Sequence, residues 1–347
     1  MARFSGYATP SQVTAPGGVS IANRHTAIFL PIKIMARIFR DKQPGVAELI
    51  YKSYERDAGD WRRDHLGASV LGHRCDRYLW LSFRWALDPK HPGKLLKLFE
   101  RGNREEIWIT RDLRRAGFKI RAMDTDGKQY LVDNGPHLGG SVDGLITGLP
   151  DDPDETHILE IKTANRKSFA RLREKGVKSA QPRHAAQMQL YMLGLDIKNS
   201  LYVAICKDTD EIHAERVVFD EKRATALRDK GVSIVEAVEP PDKLDKDFPP
   251  CVLTSKDGTR YPCDYFELCH GKAMPERNCR TCVGSTPTKK GSWHCSLPSM
   301  DTDLSPVEQR EGCGKQISIP NIVNAVVVSV EDSITYQFDD GTQVTEE

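Results

Sequence analysis

The chain has 347 residues, 39% of them hydrophobic, enough to bury a sizeable core, which excludes a disordered or fibrous protein. Its 50 Lys and Arg against 49 Asp and Glu leave a net charge of +1, so no global field announces a polyanion partner and any nucleic-acid contact has to be local. No opening apolar segment reads as a secretion signal, and the longest apolar run, near Ile322 to Val330, is too short and too β-branched to cross a bilayer. A soluble cytoplasmic protein without a membrane partner is expected. In a reducing compartment its nine cysteines point to metal ligation rather than disulfides. Cys206, inside an apolar run, is expected simply to be buried.

Residues 1–44, the first thirty of them rich in Gly, Ser, Thr and Pro and with little periodicity, read as an N-terminal arm with no assigned function. Helical spacing follows from Val46 to Ala58, from Ser69 to Phe83 and from Lys94 to Ala116. On the third of these helices Gly102 and Glu106 share a face, with Ile107 and Trp108 turned partly inward; Glu105 is the alternative acid if the face is misjudged. Strands are expected from Lys119 to Met123 and from Gln129 to Val132.

The stretch Gly139 to Lys162, GGSVDGLITGLPDDPDETHILEIK, reads as two strands joined by an acidic turn. In the second strand Ile158, Glu160 and Lys162 alternate with Leu159, Ile161 and Thr163. A two-residue period therefore puts carboxylate and ammonium on one face and Ile161 on the other, in apolar surroundings. With Asp143 arriving from the neighbouring strand, these groups suit a divalent cation and an activated water.

Past Lys162 the chain turns basic, with Arg166, Lys167, Arg171, Arg173, Lys175 and Lys178 against one acid, Glu174. Such a run is usually a solvated face; beginning beside the candidate site, it could instead track a phosphate backbone. Pro182 opens a helix in which His184, Gln187 and Tyr191 form a polar stripe opposite Ala185, Met188 and Met192. A strand ending at Lys207, a candidate phosphate contact, and a helix from Glu221 to Ala237 complete the core.

The D…E-x-K pattern of Asp143, Glu160 and Lys162, with sixteen residues between the two acids, together with the Q-x3-Y of Gln187 and Tyr191, resembles the PD-(D/E)XK nuclease superfamily. The likeness is to its RecB-like and lambda-exonuclease-like phage branches. The resemblance implies a mixed α/β fold, a restriction-endonuclease-like central sheet flanked by helices, over residues 45–272. It implies Mg2+, or Mn2+, held by Asp143, Glu160, the Ile161 carbonyl and Glu106, with Lys162 orienting or deprotonating the attacking water. Gln187 and Tyr191 would position the strand, and Arg166, Lys167, Arg171, Arg173 and Lys207 would hold the DNA backbone. The implied activity is exonucleolytic hydrolysis of duplex DNA from its ends, in phage-type recombination or repair and, if phage-encoded, in the host cytoplasm. A single-strand annealing partner and a homo-oligomer come with that resemblance. The alternatives are a structure-specific or sequence-specific endonuclease, and an inactive nucleic-acid or protein-binding module.

Eight cysteines form two groups. Cys279, Cys282, Cys295 and Cys313, opening with a C-x2-C knuckle in a Gly, Ser and Pro-rich setting, suit a structural Zn2+ in a small module over 273–347. His294, beside Cys295, is a substitute ligand. The other group is Cys75, Cys251, Cys263 and Cys269. It resembles iron-sulfur nucleases in which one cysteine precedes the core and three follow it, but Arg260 stands where that pattern expects a cysteine and Cys251 lies further upstream. An iron-sulfur cluster, a second Zn2+ and unmetallated buried thiols all remain open. The last residues, from Asn321, are expected to form a two-stranded hairpin on the module.

Overall fold

The computed structural model describes residues 44–255, 258–330 and 334–346; the arm expected over 1–44 lies, except for its last residue, outside the described residues. The chain divides into two compact units, 1–50 and 51–347. In the first, the described residues form the opening of the helix Val46–Arg56. The second contains the rest, and the boundary drawn from sequence between residues 272 and 273 falls inside it.

The second unit is a mixed α/β fold on a five-stranded sheet of β1 (Lys119–Arg121), β2 (Gly144–Thr147), β3 (His157–Ala164), β4 (Asn199–Cys206) and β5 (Ile212–Val218), side by side in chain order. All neighbours are antiparallel except β3 and β4, which run parallel with Glu160 opposite Tyr202 and Lys162 opposite Ala204. A parallel pair needs a crossover longer than a hairpin. Of the helices α1 (Asp76–Phe83), α2 (Gly93–Arg115), α3 (Arg166–Ala180), α4 (Pro182–Leu195) and α5 (Glu221–Glu236), it is α3 and α4 that make it.

Alternation along the strands supplies two cores. Leu159 and Ile161 of β3 join Ile146, Leu201, Val203 and Ile205 against Ile109 of α2. Ile158 faces the other way, into a larger cluster that takes in Tyr202, Met188 and Leu190 of α4, Leu79 and Trp80 of α1 and Ile234 of α5. The larger cluster continues without interruption into Cys279, Trp293, Cys295, Leu304 and Phe338. The cysteine-rich segment therefore shares the main core.

Four local expectations are corrected. The helix expected from Ser69 to Phe83 is two pieces, Ala68–Leu71 and α1, because Gly72 caps the first and the Cys75 sulfur accepts the Tyr78 N–H at 3.4 Å to start the second. The strand expected across Gly139 to Thr147 belongs to two sheets. Leu138–Ser141 pairs with Leu131–Asp133 and, in parallel, with Leu66–Gly67, and the chain crosses into β2 at Val142 and Asp143. β5, absent from the expected order, alternates too weakly to announce itself and is half-exposed at the sheet edge. The terminal hairpin is three strands, Val326–Val330, Ile334–Gln337 and Gln343–Glu346, because a turn at Asp339 to Gly341, with Gly341 at φ 83°, folds the last of them back.

Gly176 (φ 68°) breaks α3, and a Cβ there would stand 2.9 Å from Glu215 Oε1. Gly140 lets the ring of Tyr191 lie against the Leu138–Ser141 strand: a Cβ would sit 2.9 Å from Tyr191 Cε1 and 3.0 Å from its hydroxyl. Tyr191 is 3% exposed and has nowhere to retreat. Gly140→Ala should therefore destabilise the fold by about 1–3 kcal/mol through overpacking. Denaturant unfolding would measure this, and a loss below about 0.5 kcal/mol, the scatter of surface substitutions, would mean that the contact is slack.

Candidate active site

β3 carries Glu160 and Lys162 on the face turned to α4. Lys162 Nζ forms an ion pair with Glu160 Oε1, donates to the Ile161 carbonyl at 3.2 Å and lies 4.0 Å from Asp143 Oδ2. Asp143 is placed by the crossing between sheets and accepts the Ile161 N–H at 2.6 Å. Glu106 reaches the same field from α2, since the charges of Asp143 and Lys162 both act on it. Glu105 instead turns to Arg101, 3.6 Å away, and lines a separate surface hollow with Trp108 and Lys207. Of the two acids on α2, it is Glu106 that interacts with Asp143 and Lys162.

Burial is the dominant force on these groups. It pushes both Glu160 and Glu106 up to about 7; Lys162 opposes the rise at each, and Asp143 adds to it. Asp143 is also raised by burial, against the pull of Lys162 and the Ile161 N–H. For Lys162, burial works downward, but the carboxylates of Glu160 and Asp143 outweigh it and hold the amine above its usual range.

Gln187 Nε2 donates to the Tyr191 hydroxyl at 2.9 Å on α4, both groups being buried beside the acids. His184 Nδ1 lies 2.9 Å from the Tyr202 hydroxyl, and burial followed by the charges of Lys162 and Arg183 drives the imidazole down to about 4. It is a neutral polar group at the mouth of the site.

Asp143, Lys162, His184, Gln187 and Tyr191 line a cleft of about 980 Å³ walled also by Arg62, Arg63, His65 and Arg183; Glu160 is fully buried, and Glu106 lines a separate hollow with Ile107 and Thr110. The basic wall is not the expected one. Arg166, Lys167, Arg171 and Arg173 project from exposed positions on α3, Arg173 pairing with Glu211 at 2.9 Å, and none of them lines the cleft. The signal for the actual wall was the run Trp61 to His65, WRRDH, whose mixed aromatic and basic character is visible in sequence but whose destination is not.

The residues suit a hard divalent cation on one structural ground. Glu160 is 0% exposed, and neither of its carboxylate oxygens accepts a hydrogen bond beyond the ion pair with Lys162. A buried carboxylate met by a single ammonium keeps lone pairs unused, and an all-oxygen set of such groups suits Mg2+ or Mn2+. Among the described residues, however, no three His, Cys, Asp or Glu side chains are arranged to hold a metal ion among themselves.

The cysteines of each group come near one another, although among the described residues no three of them are arranged to hold a metal ion. The hairpin Val252–Thr254 and Arg260–Pro262 sets Val252 opposite Pro262, and the Cys263 N–H donates to the Cys251 carbonyl at 2.8 Å. The pairing of Val252–Thr254 with Arg260–Pro262 thus brings Cys251 and Cys263 to one end of the two strands. Cys251 and Cys263 then share a small pocket with Cys75, at the start of α1, and with Cys269. In the second group Cys279 feels Cys313, Cys282 and Cys295, and burial followed by these neighbours pushes its thiol up to about 11. His294 lies between Asp301 and Asp303, at 3.3 and 3.0 Å.

The raised Glu106 pKa fixes the sign of a pH effect. Native Glu106 keeps its proton to about pH 7, whereas a free glutamate ionises near 4.5. Between those values the folded state binds more protons, so its stability falls as pH rises. Glu106→Gln should lose less stability than the wild type from pH 4.5 to 7, by about 1–2 kcal/mol after solvent screening. Parallel urea titrations at the two pH values check this, and identical slopes would show that Glu106 is well solvated.

No protein-family model matches the chain, and no curated protein matches it in sequence. Among solved structures, an alkaline exonuclease, LHK-Exo, from Laribacter hongkongensis is similar over 53% of this chain and 90% of its own, at 16% identity and a TM-score of 0.37. LHK-Exo in complex with dAMP is similar over 54% and 90%, at 14% identity and 0.36. SSO0001 is similar over 56% and 87%, at 16% identity and 0.34. Likenesses at these values assign no role to any residue of this chain.

Proposed function

We propose that this chain is a Mg2+-dependent deoxyribonuclease that hydrolyses duplex DNA from its ends. The observation that carries the reading is the fully buried carboxylate of Glu160, met among the described residues by the Lys162 ammonium alone, beside Asp143 and under a cleft walled by Arg62, Arg63 and Arg183. Asp143, Glu160, the Ile161 carbonyl and Glu106 are the groups that would hold the cation. When bound, the cation would neutralise charge on the scissile phosphate and lower the pKa of a coordinated water.

The chain's own groups supply the rest. Lys162, kept as an ammonium by its acidic neighbours, donates rather than accepts a proton, so its part is to orient the attacking water and to stabilise the developing charge. Tyr191, whose hydroxyl burial holds neutral, is fixed by Gln187 and by contact with Gly140 and acts as a donor towards the substrate strand. Arg62, Arg63 and Arg183 hold phosphates without reading bases.

For the thiols, we propose a Zn2+ at Cys279, Cys282, Cys295 and Cys313, and either an iron-sulfur cluster or a second Zn2+ at Cys75, Cys251, Cys263 and Cys269. Their role would be to clamp the C-terminal segment to α1 and the core.

Glu160→Gln should lower Mg2+-dependent cleavage of end-labelled linear duplex by about 10²–10⁴-fold with DNA affinity retained, and covalently closed circular duplex should resist the wild type. Unchanged cleavage by the variant would reject the site; equal cutting of circles would turn the reading to an endonuclease. Separately, Cys279→Ser should remove bound zinc, as measured by elemental analysis, and lower the melting temperature. Retention of both would leave the four thiols a packing role only.

A further inference from the structure

Arg280, inside the C-x2-C knuckle, is 1% exposed, and its guanidinium lies 3.6 Å from the exposed carboxylate of Asp64. It donates instead to backbone: Nη1 to the carbonyls of Phe83 and Arg63 at 3.2 and 3.4 Å, and Nη2 to the Asp64 carbonyl at 3.3 Å. Gln309 Oε1 accepts from its Nε and Nη2 at 3.0 and 2.8 Å.

Trp85 completes the clamp. Its Nε1 donates to the same Arg63 carbonyl at 2.8 Å, while the Arg280 guanidinium carbon stands 3.5 Å from its ring centroid. Arg310, from the helix Pro306–Glu311 of the cysteine-rich segment, lies over the same ring at 4.9 Å and donates to Asp60 at 2.7 Å and to Asp64 at 3.2 Å. A second hold comes through His137, whose Nε2 is 3.1 Å from the Thr288 carbonyl and whose own carbonyl accepts the Leu66 N–H at 2.8 Å. The segment from Asp60 to Leu66 is thus fixed from both ends by the C-terminal segment, and Arg62, Arg63 and His65 within it face the cleft.

A basic segment held through its backbone carbonyls and through the carboxylates of Asp60 and Asp64 has its phosphate-facing geometry set by whatever holds it. We propose that Arg280 and Arg310 are positioning residues of the cleft: the cysteine-rich segment builds the cleft's basic wall, and substrate affinity depends on that clamp. The inference rests on the DNA-binding reading of the cleft and goes further, assigning the C-terminal segment a part in substrate capture rather than stability alone.

The test uses the full chain with Arg310→Ala, Arg310→Lys and Arg280→Lys. The dissociation constant for a short blunt-ended duplex is read by fluorescence anisotropy in EDTA, alongside kcat and KM on linear duplex with Mg2+ and the melting temperature. Arg310→Ala should raise the dissociation constant and KM about tenfold with kcat within about twofold, Arg310→Lys should recover part of the loss, and Arg280→Lys should raise both constants further. Wild-type constants in Arg310→Ala would overturn the proposal even if Arg280→Lys fails to fold, as would a fall in melting temperature and kcat at unchanged affinity. If the wild type binds the duplex without cutting it, the nuclease reading falls while the clamp is still judged on the dissociation constants. A wild type that does not bind the duplex overturns both.

Discussion

The pairing of Glu160 with Lys162 on a buried strand is the constraint around which the rest of the second unit is arranged. Taking a carboxylate and an ammonium out of water costs several kcal/mol per ion, and their mutual attraction repays this only in part. Two further acids, Asp143 and Glu106, act on the same amine, so the excess is negative. A fold selected for stability alone would place an apolar residue at position 160, opposite Tyr202 and beneath α4. Retaining an acid there, with only the Lys162 ammonium to meet its oxygens, concentrates negative charge beneath the cleft.

Precision at that floor comes from the two cores on either side of the sheet. Ile161 packs against α2 through Ile109, and this burial locks the β3 backbone so that its N–H can hold Asp143 and its carbonyl can face Lys162. One residue thus anchors the strand with its side chain and organises the acids with its peptide groups. The crossing of the chain between sheets at Val142 and Asp143 serves the same end, because leaving one ladder before joining the next frees the Asp143 side chain from a strand's strict alternation.

What could be read from sequence was local and periodic. The two-residue alternation of HILEIK fixed which side of β3 each residue takes, and the helical spacing of GKLLKLFERGNREEIWITRDLRR gave α2 to within a residue at each end. The Gln187 and Tyr191 pair follows from four-residue spacing on a helix, which brings the two side chains within 2.9 Å. What could not be read was long-range. Nothing local tells that WRRDH becomes a cleft wall while the more basic run on α3 stays on the surface, since that is decided by Arg280, over two hundred positions away in sequence from Arg63. The pairing of Cys251 with Cys263 was hidden for a related reason: the intervening residues are too polar to advertise a hairpin, and only the register of Val252 with Pro262 brings the two thiols together.

The C-terminal segment has too little apolar surface to fold by itself and borrows the core of the sheet unit, with Trp293, Leu304 and Ile322 buried in the same cluster as Leu66 and Phe83. Sharing a core means that a disturbance on one side is felt on the other, because close-packed interiors transmit strain rather than absorb it. The guanidinium groups of Arg84 and Arg280 stand 5.1 and 4.8 Å from the Trp293 ring centroid, and both donate to the carbonyls of residues on the far side of the junction. Arginine suits such a place: its charge is spread over a plane that stacks on aromatic faces while its five N–H groups satisfy several carbonyls at once. Through these contacts the knuckle at Cys279 and Cys282 bears directly on the backbone of the residues that face the cleft, so the geometry of the thiols and that of the basic wall are set by one packed junction.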